Sequence, residues 1–186
     1  MSAALVSSLL FLIQTLGALY IMAVLLRFLL QVTHADFYNP ISQAIVKITS
    51  PLLNPLRKII PGFGKVDAAS LVLALALQIA LIYGMSSIKG ISLSLISFQA
   101  VLIVSLIELA THILNIYLFS LVIIAIASWV AQGSYNPGLM LLLQITEPLS
   151  SRVRRIIPPI GGLDLSLMVI VIIIYFLKNL LAGIVY

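Results

Sequence analysis

Long apolar runs, interrupted twice by short stretches of mixed character, dominate this chain. Residues 3–30 hold one charge, Arg27, near their end; residues 68–88 hold none; residues 165–186 hold one, Lys178. Each run reaches the roughly 20 residues that a helix needs to cross a bilayer core about 30 Å thick. Residues 90–132 carry a single charge, Glu108. One straight helix over that whole stretch would be about 65 Å long, roughly twice the hydrocarbon thickness. It is therefore one span with an interfacial lead-in, or two spans with a tight turn.

An internal repeat bears on this choice. Shifting the chain by 97 residues lays Tyr38-Asn39-Pro40 on Tyr135-Asn136-Pro137, and Ile48-Thr49 on Ile145-Thr146. It also lays Pro51-Leu52 on Pro148-Leu149, Arg57 on Arg154, Ile59-Ile60-Pro61 on Ile156-Ile157-Pro158, Gly64 on Gly161 and Asp67 on Asp164. Over residues 38–67, 13 of 30 positions are identical without a gap. A four-residue gap upstream pairs Gln31 with Gln132 and sets Arg27 opposite Ser128. Each unit reads as span, Asn-Pro, amphipathic stretch, Pro, basic stretch, Ile-Ile-Pro, Gly, Asp, span.

If residues 90–132 hold one span, both basic segments face the same side. The first then presents Lys47, Arg57, Lys58 and Lys65, the second Arg152, Arg154 and Arg155, against Lys89 alone on the other side. Two spans would split these charges almost evenly. The positive-inside rule selects four spans, both termini outside and both basic segments cytoplasmic. The expected fold is thus an all-α membrane protein with about four transmembrane helices in two tandem parallel repeats. The first repeat is 1–89 with a short in-plane helical hairpin at 39–61. A connector at 90–105 is either an interfacial helix or an outward extension of the third span. The second repeat is 106–186, with its hairpin at 136–158.

Composition agrees with the bilayer as solvent. Hydrophobic residues make up 62% of the 186 residues and charged residues 8%, against about 45–50% and about 25% in soluble domains. The mean hydropathy is +1.25. The net charge of +5 sits largely in the two basic segments, which suits orientation and lipid contact rather than nucleic acid. No basic residue precedes the first apolar run, so a cleavable leader is not expected.

Asn39 and Asn136, each followed by Pro, are expected helix N-caps. After Pro40, Ile41, Ala44, Ile45 and Ile48 form an apolar stripe opposite Ser42, Gln43, Lys47 and Thr49. Pro51 is expected to end that helix, because its ring clashes one turn back. A second short helix then carries Arg57 and Lys58, its counterpart Arg152, Arg154 and Arg155. An apolar stripe backed by Arg and Lys suits a helix lying in the headgroup plane. These five residues are candidates for lipid or partner binding; the plainer reading is an anchor that fixes orientation.

Asp67 and Asp164 are expected helix caps, with a shared cation site as the alternative. Glu108, His112 and Asn115 fall on one face of the third span. An ionisable group inside the bilayer needs a partner, so Glu108 is expected to pair with Lys178 of the last span. The matching first-unit positions are Ser7 and Leu81, so this pair breaks the repeat symmetry.

There is no cysteine, and HExxH, GxSxG, GKS/GKT and CxxC patterns are absent, so no enzyme activity, cofactor or metal is expected.

The repeated pattern resembles the YggT family of bacterial membrane proteins. It is carried by Asn39-Pro40, Ile48-Thr49, Pro51, residues 55–61, Gly64 and Asp67. In the second unit it is carried by Ser128-Trp129, Asn136-Pro137, Glu147-Pro148, residues 154–158, Gly161 and Asp164. The second unit departs at Arg152, where the first has Pro55. The resemblance implies a multi-pass protein of the bacterial inner membrane. Family relatives are associated with cytochrome-complex assembly, thylakoid or nucleoid organisation, cell division, osmotic stress and cation uptake, without an agreed molecular activity. Two functions follow as expectations. One is a non-enzymatic scaffold or assembly protein that binds phospholipid headgroups, a membrane-protein partner or another copy of itself. The other is a channel or transporter component in ion homeostasis.

Overall fold

The computed structural model describes residues 3–60, 66–130, 136–157 and 165–185. These residues form six α-helices and no strand: α1 (Ala3–Val32), α2 (Pro40–Ile59), α3 (Ala68–Ile88), α4 (Phe98–Val130), α5 (Pro137–Arg154) and α6 (Leu165–Val185). Four stretches are long and apolar enough to cross a membrane, Ala4–Val32, Ala68–Ile88, Phe98–Ser128 and Leu165–Ile184. Each repeat is therefore a span, an amphipathic helix and a second span.

Residues 90–132 hold one span. α4 is a single helix of 33 residues, about 50 Å long at 1.5 Å per residue. It extends the crossing to Phe98, while Leu93–Leu95 form only a 3-10 turn. The lead-in is thus mainly an extension of the span. The turn before it starts at Gly90, whose φ of +74° is open to a residue without Cβ. There the Ile91 N–H donates to the Ser86 carbonyl, closing α3. His34 takes the same left-handed role after α1 with φ +54°, and the Ala35 N–H donates back to Leu30.

α1 and α3 pack along each other. A Cβ added at Gly17 would stand 2.8 Å from Leu81 Cδ1, so the missing side chain lets the helices approach closely. Ile21, Val24, Leu25, Leu29 and Leu30 of α1 meet Ala69, Leu73 and Ala74 of α3, Ile45 and Leu53 of α2, and Leu141 and Ile145 of α5. A smaller cluster joins Leu118 and Leu121 of α4 to Ile170 and Ile174 of α6.

α2 and α5 lie against each other at one end of the bundle. Asn39 Nδ2 donates to the Pro137 carbonyl at 2.7 Å, and the Asp36 N–H donates to Gln144 Oε1 at 2.9 Å. Both amphipathic helices therefore sit at the same end, as the parallel arrangement requires.

The expected in-plane hairpins are corrected. α2 is one helix of 20 residues with Pro51 and Pro55 inside it, and α5 one of 18 residues with Pro148 inside. Pro51 removes the backbone donor to the Lys47 carbonyl without ending α2, and the turn before it carries side-chain bonds. Thr49 Oγ1 donates to the Ile45 carbonyl at 2.7 Å, and Ser50 Oγ to the Val46 carbonyl at 2.6 Å. Arg27 adds a further donor to Val46. The ends of both hairpins, at 61 and 158, lie outside the described residues.

Candidate functional site

The end of the bundle that holds α2 and α5 collects most of the polar chemistry. Asn39 Oδ1 accepts from the Ile41 N–H at 2.9 Å, and Asn136 Oδ1 from the N–H groups of Gly138 and Leu139 at 2.9 and 3.2 Å. Both are the N-caps that Asn-Pro predicts, and each satisfies backbone donors that the helix itself leaves free.

The inward face of α2 is mixed. Ser42, Ile45, Thr49 and Leu53 are buried, whereas Ile41 and Ile48 are exposed. The expected stripe is thus split: Ile45 packs in the core while Ile41 and Ile48 are exposed, and of the opposite side Ser42 and Thr49 are buried while Gln43 and Lys47 are exposed. Ser42 Oγ donates to the Asp36 carbonyl at 2.8 Å. Thr49 meets Arg27, which is only 5% exposed. Arg27 Nη1 donates to Thr49 Oγ1 at 2.8 Å, to Ser50 Oγ at 3.1 Å and to the Val46 carbonyl at 3.2 Å. One cation of α1 thereby grips one turn of α2. Sequence reading registered Arg27 only as a lone charge in a span. Its contact with the repeated Ile-Thr, whose second threonine, Thr146, is also buried, comes from the packing of α1 on α2.

Asp67 is buried at the N-cap position of α3, and its carboxylate has partners beyond its own helix. It accepts from the Arg57 guanidinium and from Ser70 Oγ at 2.6 Å. The residue expected as a cap thus stands at the N-cap and also ties the end of α2 to the start of α3. Burial pushes the Asp67 carboxyl up, and the hydrogen bonds from Arg57 and Ser70 outweigh it, holding the group below the usual carboxylate range. The counterpart Asp164 lies outside the described residues.

The five basic candidates separate accordingly. Arg57 is committed to Asp67, and Arg154 Nη1 reaches Glu147 Oε2 at 3.5 Å. Lys58, Arg152 and Arg155 are exposed, and none forms an ion pair among the described residues. Beside them, Ile59 is 79% exposed and Ile156 is 80% exposed, at matching positions of the two repeats.

The expected pairing of Glu108 with Lys178 is not formed. Lys178 Nζ donates to Asn115 Oδ1 at 2.7 Å and stands 5.7 Å from the Tyr175 ring centroid. Glu108 and Lys178 line one cavity between α4 and α6, but Asn115 lies two turns from Glu108 along α4. The amide is the nearer partner and satisfies the amine without an ion pair. Among the described residues no three His, Asp or Glu side chains are grouped to hold a metal.

Comparison with known proteins adds the relationship. No solved structure matches the chain. It is 51% identical over 156 residues to an uncharacterized protein of Pseudomonas aeruginosa, covering 84% of this chain and 79% of that one. It is 39% identical over 174 residues to the uncharacterized protein YggT of Escherichia coli K12, covering 92% and 88%. It is 43% identical over 182 residues to an uncharacterized protein of Vibrio alginolyticus, covering 96% of each. The CCB3/YggT family model matches twice, at residues 6–88 and 103–185, once per structural repeat. The chain belongs to the CCB3/YggT family.

Proposed function

We propose that this protein is a non-enzymatic membrane scaffold whose paired amphipathic helices hold anionic phospholipid headgroups. The observation that carries this reading is the set of uncommitted cations Lys58, Arg152 and Arg155 beside the exposed Ile59 and Ile156. An isoleucine that enters the hydrocarbon next to a cation at headgroup level is the chemistry of an interfacial helix. The positive-inside bias favours the inner membrane, with α2 and α5 on the cytoplasmic side. A membrane-protein partner or a second copy would then dock along the broad apolar flanks of the spans.

Each cation near an anionic surface contributes about 1 kcal/mol. Reversing Lys58, Arg152 and Arg155 to Glu should therefore lower the preference for phosphatidylglycerol over phosphatidylcholine by roughly a hundredfold. Native mass spectrometry of protein equilibrated with mixed lipids reads that preference directly. An unchanged ratio in the triple variant would remove these helices as the lipid-holding surface.

A further inference from the structure

The first span of each repeat is longer than the second. α1 and α4 are about 45 and about 50 Å long, whereas α3 and α6 are each about 32 Å. The excess lies at the end of the bundle away from α2 and α5. α1 and α3 are level where Gly17 meets Leu81. Beyond that level α3 runs on to Ile88, about 10 Å, and α1 runs back to Ala3, about 21 Å. α4 and α6 are level where Asn115 takes the Lys178 amine. Beyond it α6 runs on to Val185, about 10 Å, and α4 runs back to Phe98, about 26 Å. α1 and α4 thus overhang their neighbours by about 10–15 Å. Residues 3–13 and 90–107 hold no charged residue, no Trp and no Tyr. Leu5 and Leu9 of α1, Phe98 and Ile103 of α4 and Leu95 of the connecting turn are exposed there.

A shared tilt does not absorb the difference. Tilting that fits the roughly 50 Å of α4 into a core of about 30 Å would leave α6, beside it, spanning only about 19 Å. The headgroup layer takes up about 5–8 Å on one side, which leaves several Å of apolar helix above it. Bare leucine and isoleucine are poorly placed in water, and the overhang has none of the Trp, Tyr, Lys or Arg anchors that mark a membrane boundary. Nearer the centre the same two helices expose Leu16, Leu19 and Phe119, which face hydrocarbon. The overhang continues that surface. We propose that the acyl chains of long-chain phospholipids cover it, so that the protein gathers a thickened leaflet around α1 and α4. This goes beyond the headgroup-holding surface, which lies at the other end of the bundle and works through cations.

The test uses the full chain in vesicles of phosphatidylcholine alone, where no anionic headgroup contributes. Thermal unfolding is followed by circular dichroism in dimyristoleoyl, dioleoyl, dieicosenoyl and dierucoyl lipid. The midpoint should peak in one of the two longest lipids, about 3–6 °C above its dioleoyl value. Leu5→Lys with Ile103→Lys places charge on exposed positions of the overhang and should move the maximum back to dioleoyl lipid. Should that variant fail to fold, Leu5→Ser with Ile103→Ser takes its place with the same expectation. A maximum at dioleoyl or shorter lipid in the unaltered chain, or the same maximum in the folded variant, would overturn the proposal. Photobleaching of labelled single molecules counts the copies in the same vesicles. Dimers in every lipid with a flat midpoint would assign the overhang to a second copy and overturn it as well.

Discussion

Replacing Arg27 by alanine tests whether one buried cation holds α2 against α1. Three contacts are lost, to Thr49, Ser50 and Val46. Hydrogen bonds to charged groups contribute about 1.5–3 kcal/mol each at most, but two facts lower the sum. Thr49 and Ser50 keep their own bonds to Ile45 and Val46, so no buried acceptor is orphaned. The desolvation cost of the guanidinium also disappears with it. A net loss of about 2–3 kcal/mol in the docking of α2 follows, which is roughly a 30- to 150-fold rise in its opening. The chain has no cysteine, so Leu53→Cys, at a fully buried site of α2, is a clean probe. Its labelling by a water-soluble maleimide in micelles should accelerate by that factor when Arg27→Ala is added. Arg27→Met, which fills the space without a charge, should restore most of the protection. Labelling of the alanine variant within threefold of its parent would refute the clamp.

Three further outcomes are expected. The lowered Asp67 carboxyl contributes stability that is fully present above its unfolded value, about pH 3.9, and is lost as pH falls through its folded value; Asp67→Asn should remove about 1.5–3 kcal/mol at pH 7 and flatten the acid limb of a stability–pH curve. His34→Gly should relieve the left-handed residue after α1 and raise stability by up to about 1 kcal/mol, read as a higher midpoint of unfolding in micelles. A double-mutant cycle of Asn115 with Lys178 should give a coupling of about 0.6–1.7 kcal/mol, whereas the cycle of Glu108 with Lys178 should fall below about 0.5 kcal/mol; the reverse order would reinstate the ion pair.

What the sequence alone determined was everything governed by length, periodicity and repetition. Four spans, two units and the N-caps Asn39 and Asn136 follow from local rules, because a helix of given apolar length has few alternatives in a bilayer. One span rather than two in residues 90–132 followed from charge counting, since the sidedness of cations is a property of the chain. The tertiary structure decided matters that depend on which neighbours arrive. Pro51 stays inside α2, and Arg27, 24 residues earlier in the chain, grips the turn before it. Ser42 and Thr49 face inward because the Asp36 carbonyl and Arg27 meet them there, a placement that an amphipathic pattern by itself does not reveal. Asp67, at the N-cap of α3, also ties α2 to α3, because Arg57 is within reach. Lys178 turns to Asn115 rather than to Glu108, because partner choice inside a bundle is set by the depth at which two helices bring side chains level.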